Sequence, residues 1–170
     1  SMHNPDGLDV AALIELKKSG RSVVDYADGE RLSRDAVVGI DCDVWIPAAR
    51  PDVIHADNVD KLKATLVIEG ANIPITPEAE RMLHDRGVLC VPDFIANAGG
   101  VICAAMEYQG ATETAALQTI QDKLRRNTRT VLEDAHERGI LPREAARAMA
   151  ETRVRKAMGL RRYSLFSTAP

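Results

Sequence analysis

Between Leu66 and Met106 apolar runs and polar punctuation alternate in an order that predicts strand, loop, helix, strand, loop, helix. Leu66-Val67-Ile68 is a short apolar run stopped by Glu69-Gly70, the pattern of a buried strand. Thr76 is placed to cap a helix that Pro77 opens, because the first helical turn has no use for the N–H that proline lacks. Ala79, Met82 and Leu83 give this helix an apolar face, and Gly87 ends it. Val88 to Val91 is the next strand, stopped by Pro92-Asp93, and the loop Ala96-Asn97-Ala98-Gly99-Gly100 opens another helix. Each strand therefore delivers an Asn among small residues, Asn72 and Asn97, as a ligand crevice at the carboxyl ends of a parallel sheet requires. An Asn amide both donates and accepts, and flanking Ala and Gly let a flat ligand approach the backbone. The same residues also suit plain turns, in which each Asn bonds its own backbone.

Upstream, Asn4-Pro5-Asp6-Gly7 is turn chemistry, and Asp9 caps a helix through about Lys18 with Val10, Leu13 and Ile14 on one face and Gly20 at its end. Val23 to Tyr26 reads as a short extended piece, and Ser33 opens a helix through Val38 that Gly39 closes. Val44-Trp45-Ile46 is a further strand, and Asp57 to Leu62 a brief helical turn. After Gly110 the pattern is helical only. Thr112 caps a long helix with the stripe Ala116, Ile120, Leu124, Thr128, Val131 and Ala135, ended by Gly139. Pro142 opens the last helix, with Ala146, Met149, Val154, Ala157 and Met158 expected inward and Gly159 at its end; 160–170 read as a flexible tail. The fold class that follows is α/β: three parallel strands at 43–47, 65–69 and 88–92 with flanking helices and a helical C-terminus.

EGANIPITPEA and VPDFIANAGGVI, together with Asn4-Pro5-Asp6-Gly7-Leu8-Asp9 and the segment Cys42 to Ala49, resemble the C-terminal signature of the glutamate/leucine/phenylalanine/valine dehydrogenase family. The resemblance runs from about residue 3 to 158. It implies that 3–159 form the C-terminal part of a Rossmann-like (doubly wound) NAD(P)-binding domain. The parent protein would oxidise an amino acid to a 2-oxo acid and ammonia with NAD or NADP, as a homo-oligomer. By the same resemblance Ala48 and Ala49 would line the cofactor, Asn72 would meet the nicotinamide ribose and Asn97 the carboxamide. Val101 and Ala104 would face the substrate side chain. Glutamate-specific members usually carry Ser where Ala104 stands, so an apolar amino acid stays open beside glutamate.

The missing parts matter as much. The eleven glycines include no two separated by a single residue, so the chain has no GxGxxG to grip a pyrophosphate. In the family that loop lies just upstream of the Asn-Pro-Asp-Gly turn, and the catalytic lysine and aspartate come from an N-terminal substrate domain. None of the six lysines here sits in a comparable motif, so no catalytic residue is assigned and the chain alone is expected to catalyse nothing. Ser1-Met2 looks like the remnant of a removed tag. Without the first βαβ unit, Val44-Trp45-Ile46 becomes a sheet edge, expected to be covered by a second copy or by a rearranged N-terminal segment.

Composition narrows the remaining possibilities. The 170 residues suit one domain, and with 45% hydrophobic but only 4% aromatic residues the core must be mostly aliphatic. Residues 1–111 carry 10 basic and 18 acidic side chains, whereas 112–170 carry 12 and 7. Solvated helix faces account for the basic end; the alternative is a non-catalytic interaction module that binds partners through it. No apolar run approaches the roughly 18 residues of a membrane span, no signal peptide opens the chain, and nothing marks a nucleic-acid partner. Cys42, Cys90 and Cys103 show neither metal spacing nor a disulfide framework, and read as buried thiols of a reducing cytoplasm. A nucleophilic or redox-active Cys103 is the competing reading.

Overall fold

The computed structural model describes residues 1–161. Strands β1 (Met2–His3) and β2 (Glu30–Arg31) pair antiparallel and are connected through helix α1 (Val10–Lys18). The central sheet is wholly parallel, in the order β3 (Val44–Trp45), β4 (Leu66–Ile68), β5 (Leu89–Val91), with Trp45 opposite Val67 and Val67 opposite Cys90. Helix α2 (Pro77–Asp85) makes the crossover from β4 to β5. Beyond β5 come α3 (Asp93–Ala96), α4 (Gly99–Tyr108), α5 (Glu113–Arg138) and α6 (Pro142–Arg161). The α/β expectation with three parallel strands and a helical C-terminus holds.

Strand alternation divides the core. Val67 and Cys90 point to one face, where Ile54, Leu62, Ile75, Ala79 and Leu83 pack against them. Leu66, Ile68 and Val91 point to the other, against Ile95, Val131, Ala135, Ala145 and Ala146. The sheet is thus the middle layer between α2 and its flanking turns on one side and α5 with α6 on the other. Leu83, fully buried, contributes about 1.5–3 kcal/mol relative to exposure.

The caps form where the residue types place them. Asp9 accepts from Ala12 N at 3.0 Å, and Thr76 and Thr112 accept from Ala79 N and Ala115 N at 3.3 Å. Gly139 ends α5 with φ +61, the left-handed conformation that favours glycine.

Several local expectations need correction. Val23–Asp25 is a 3-10 turn rather than extended, because the Asp25 carboxylate accepts from Ser22 N at 3.0 Å and closes it. The helix expected over Ser33–Val38 is a 3-10 turn at Asp35–Gly39, with only Val38 buried. The loop before α4 shrinks to Asn97-Ala98, since Pro92 O accepts from both Ile95 N and Ala96 N at 3.0 Å and winds α3. Val154, Ala157 and Met158 are exposed, not inward: the core behind the sheet ends at Met149. Val10 and Ile14 on α1 are likewise uncovered. Leu160 and Arg161 continue α6 rather than beginning a tail; 162–170 lie outside the described residues. The N-terminal strand pairs with β2, so among the described residues no strand covers the outer edge of β3. No described helix is long and apolar enough to cross a membrane.

Leu83→Ala is expected to lower unfolding stability by about 2–5 kcal/mol in urea titrations, through the cavity it leaves. Val154→Ser on α6 should change it by no more than about 0.5 kcal/mol; a loss comparable to that of Leu83→Ala would show that this face is covered after all.

Candidate functional site

All three central strands end toward the same loops. Pro47 O, just after β3, accepts from Ala71 N at 2.7 Å, which draws the loop after β4 against the loop after β3. Contact there is tight: a Cβ on Gly70 would stand 3.2 Å from Ala48 Cβ. The loop after β5 joins them through Asn97, whose Nδ2 donates to Asn72 Oδ1 at 2.9 Å and to Gly70 O at 3.4 Å. Bonding to the Gly70 carbonyl fixes which way the Asn97 amide faces. Neither Asn side chain bonds its own turn. Among the described residues, Asn97 Oδ1 is then an acceptor and Asn72 Nδ2 a donor without a protein partner. Asn97 Oδ1 can accept from an amide N–H, and Asn72 Nδ2 can donate to a hydroxyl or carbonyl oxygen.

Ala48 and Ala49 are exposed, and they line a groove of about 210 Å³ together with Trp45, Ile46, Arg50 and Val53. Asn72 is exposed and Asn97 half-buried. Val101 and Ala104 lie one helical turn apart on α4, which begins two residues after Asn97, and both are exposed. The sequence therefore brings Ala48, Gly70, Asn72 and Asn97 together in space, whereas Val101 and Ala104 stand beside this group on the next element. These residues suit a flat, amide-bearing ring; they include no glycine-rich loop for a pyrophosphate. A larger groove of about 410 Å³, lined by Phe94, Arg143, Arg147, Ala150, Val154 and Arg155 among others, contains neither Asn.

Beneath these loops sits an ion cluster that local sequence patterns do not disclose. The Arg143 guanidinium, on α6, donates from Nε to Glu80 Oε2 at 2.7 Å, from Nη1 to Asp93 Oδ1 at 2.9 Å and from Nη2 to Glu69 Oε2 at 2.7 Å. All three carboxylates are buried, Glu69 fully so, and Glu69 Oε1 and Glu80 Oε1 have no partner. Asp93 Oδ2 accepts from Ile73 N at 2.8 Å. Ile73 has φ +48, a left-handed conformation that costs a β-branched residue about 1–3 kcal/mol. Glu69 and Asp93 look from the sequence like strand stops. The available signal was that two acids end adjacent apolar strands, where buried carboxylates need a cation.

Burial pushes the Glu69 carboxyl from its ordinary 4.5 up to about 7; the Arg143 charge opposes this, and the Glu80 and Asp93 charges add to it. Glu80 is raised for the same primary reason. Burial also pushes Asp93 up, but the N–H bonds from Ile73 and Phe94 and the pairing with Arg143 outweigh it and hold the carboxyl below its ordinary value. Burial lowers Arg143, yet Glu69 and Glu80 more than offset this and keep it protonated. The thiols are poor nucleophiles. Burial pushes Cys90 up to about 12, and the half-buried Cys103 is raised by desolvation and by Glu107, to which it donates at 3.7 Å. Cys42 is also half-buried, so only Cys90 matches the expectation of a buried thiol.

A raised Glu69 binds its proton more tightly when folded than when unfolded. Its contribution to stability is therefore greatest below pH 4.5 and declines as pH rises toward about 7. Glu69→Gln should flatten this decline, with urea midpoints at about pH 5 and about pH 7 closer together than in the wild type. Equal pH dependence in both proteins would show that Glu69 does not titrate in this range.

The family model for Glutamate/Leucine/Phenylalanine/Valine dehydrogenase matches residues 1–162. Glutamate dehydrogenase from Thermotoga maritima is 47% identical over 63% of this chain and 26% of its own length. Glutamate dehydrogenase from Aeropyrum pernix is 36% identical over 94% of this chain and 41% of its own. NADP-specific glutamate dehydrogenase from Saccharolobus shibatae is 36% identical over 92% and 39%. Among solved structures, hetero-hexameric glutamate dehydrogenase from Thermus thermophilus in a Leu-bound form matches with TM-score 0.81 and 26% identity, over 99% of this chain and 40% of that one. L-tryptophan dehydrogenase from Nostoc punctiforme matches with TM-score 0.68 and 25% identity, over 89% and 43%. The chain spans well under half the length of each of these proteins. Its fold is that of their Rossmann-type region, and by sequence match and fold together it belongs to the glutamate/leucine/phenylalanine/valine dehydrogenase family.

Proposed function

We propose that this chain forms the nicotinamide-facing half of the cofactor cleft of an NAD(P)-dependent amino-acid dehydrogenase, which oxidises an L-amino acid to the 2-oxo acid and ammonia. The observation that carries the reading is the Asn72–Asn97 amide pair at the ends of adjacent parallel strands, with its leftover donor and acceptor. Family membership supplies the nicotinamide cofactor, whose chemistry is to accept a hydride at the ring. The residues of this chain bind and orient. Asn97 engages the carboxamide and Asn72 the adjoining ribose, while Ala48 and Ala49 leave room for the ring and sugar beside the β3 loop.

Val101 and Ala104 form the wall met by the substrate side chain. A methyl at 104 donates no hydrogen bond to a distal carboxylate, which weighs toward an apolar amino acid over glutamate. Residues 3–159 act here as the second half of the nucleotide-binding domain. The pyrophosphate grip and the catalytic lysine and aspartate are functions that no residue of this chain performs, so the chain alone binds cofactor weakly and turns over nothing. The parent enzyme in this reading is oligomeric, as the Thermus thermophilus relative is described to be.

Titration of the purified chain with NADH, followed through Trp45 emission, should give half-saturation at about millimolar concentration, equivalent to roughly 4 kcal/mol. Asn97→Ala should weaken this by about tenfold or more, the effect of about 1.4 kcal/mol. Unchanged binding by Asn97→Ala would remove Asn97 from the site, and amino-acid turnover by the chain alone would refute the division of roles.

A further inference from the structure

We propose that Arg143 is a positioning residue for the two cofactor-facing amides, acting through Asp93. The proposal rests on the reading of Asn72 and Asn97 given above. Each of the three guanidinium nitrogens of Arg143 is committed to a different carboxylate, and these come from the end of β4, from α2 and from the end of β5. Only Arg can hold three carboxylates in one plane with fixed directions; a Lys ammonium supplies the charge without the fork.

Asp93 passes that geometry to the site by two routes. Its Oδ2 accepts from Ile73 N at 2.8 Å, while its Oδ1 is occupied by Arg143. Its own carbonyl accepts from Asn97 N at 2.7 Å. One residue therefore pins the neighbour of Asn72 and the backbone of Asn97. Glu69 provides a third tie, being bonded to Arg143 and directly followed by Gly70, whose carbonyl orients the Asn97 amide.

Ile73 shows what the cluster accomplishes. Its side chain is 57% exposed, so its left-handed conformation is not compensated by burial of the side chain. It is held from outside, by Asp93 at its N–H and by Asp52 N, which donates to its carbonyl at 2.9 Å. Held in this way, the turn keeps Asn72 Oδ1 within 2.9 Å of Asn97 Nδ2. Strain maintained by surrounding bonds at a ligand-facing turn is the signature of a preorganised site.

The test compares Arg143→Lys with Ala145→Gly in the 15N-labelled chain. Ala145→Gly weakens the same helix at a buried position without touching the ion cluster. Backbone amide resonances establish that each variant is folded. In Arg143→Lys the Ile73 backbone amide and the Asn72 and Asn97 side-chain amides should shift, and the NADH concentration for half-saturation should rise about tenfold. Ala145→Gly should lower the urea midpoint while leaving those three resonances and the binding in place. Should Arg143→Lys fail to fold, the variant Glu80→Gln replaces it, because it removes one carboxylate charge from the fork while leaving an acceptor, with the same shifts expected. Wild-type positions for the three resonances in a folded cluster variant would overturn the proposal, as would equal shifts in Ala145→Gly. If wild-type chain shows no NADH binding at all, the cofactor reading fails, whereas the amide resonances still decide whether Arg143 positions the two loops.

Discussion

The ligand-facing edge of this structure depends on one cation placed among three buried carboxyl groups. The sheet separates two layers that share little: α2 with its turns on one face, α5 and α6 on the other. Arg143 starts from α6 and reaches Glu80 on α2, passing the strand ends where Glu69 and Asp93 lie. The two layers are thereby tied around the carboxyl edge of the sheet. Deleting one partner of a buried ion pair costs about 3–5 kcal/mol, because the other is left charged and unsolvated. Domains of this kind have about 5–15 kcal/mol in total. Burial, reinforced by the excess of carboxylates over cations in the cluster, pushes the Glu69 carboxyl up to about 7.

The strands themselves are too short to hold the loops. With two or three residues each, they supply few ladder bonds, so the loops are fixed by side chains instead. Arg86 donates to Val59 O and Leu62 O at 2.7 Å and staples the turn before β4. Asn58 bonds Val53 O at 2.9 Å in the same region. At the site the same economy recurs: backbone pairing between β4 and β5 ends with Glu69 N donating to Val91 O at 3.1 Å, and amides and carboxylates take over beyond it.

Much of this was legible in the sequence wherever the cause is local. Asp9, Thr76 and Thr112 cap helices because their oxygens reach an N–H three residues on, and the three parallel strands are apolar runs between turn residues. Amphipathy alone misled at Val154 and Met158: a stripe says which residues would gain from cover, not that any element arrives to cover them. The pairing of Asn72 with Asn97 was half legible. Strand ends placed them near each other, but the bond between their amides depends on the Ile73 turn, which no propensity favours. The cluster around Arg143 was legible only in part: two acids end adjacent apolar strands, but the cation they share stands 50 and 74 residues further along and looks like ordinary surface charge.

That separation in sequence sets an order of events during synthesis. Glu69 leaves the ribosome 74 residues before the cation it needs, and Asp93 leaves 50 residues before it. At about 5–20 residues per second the gap for Glu69 is roughly 4–15 s. During that interval β4, α2 and β5 can find one another, yet closing over Glu69, Glu80 and Asp93 would bury acids without a counter-ion. The carboxyl edge of the sheet therefore gains its counter-ion only once α6 is made, and the ligand-facing end of the domain can close without burying unpaired acids only from that point.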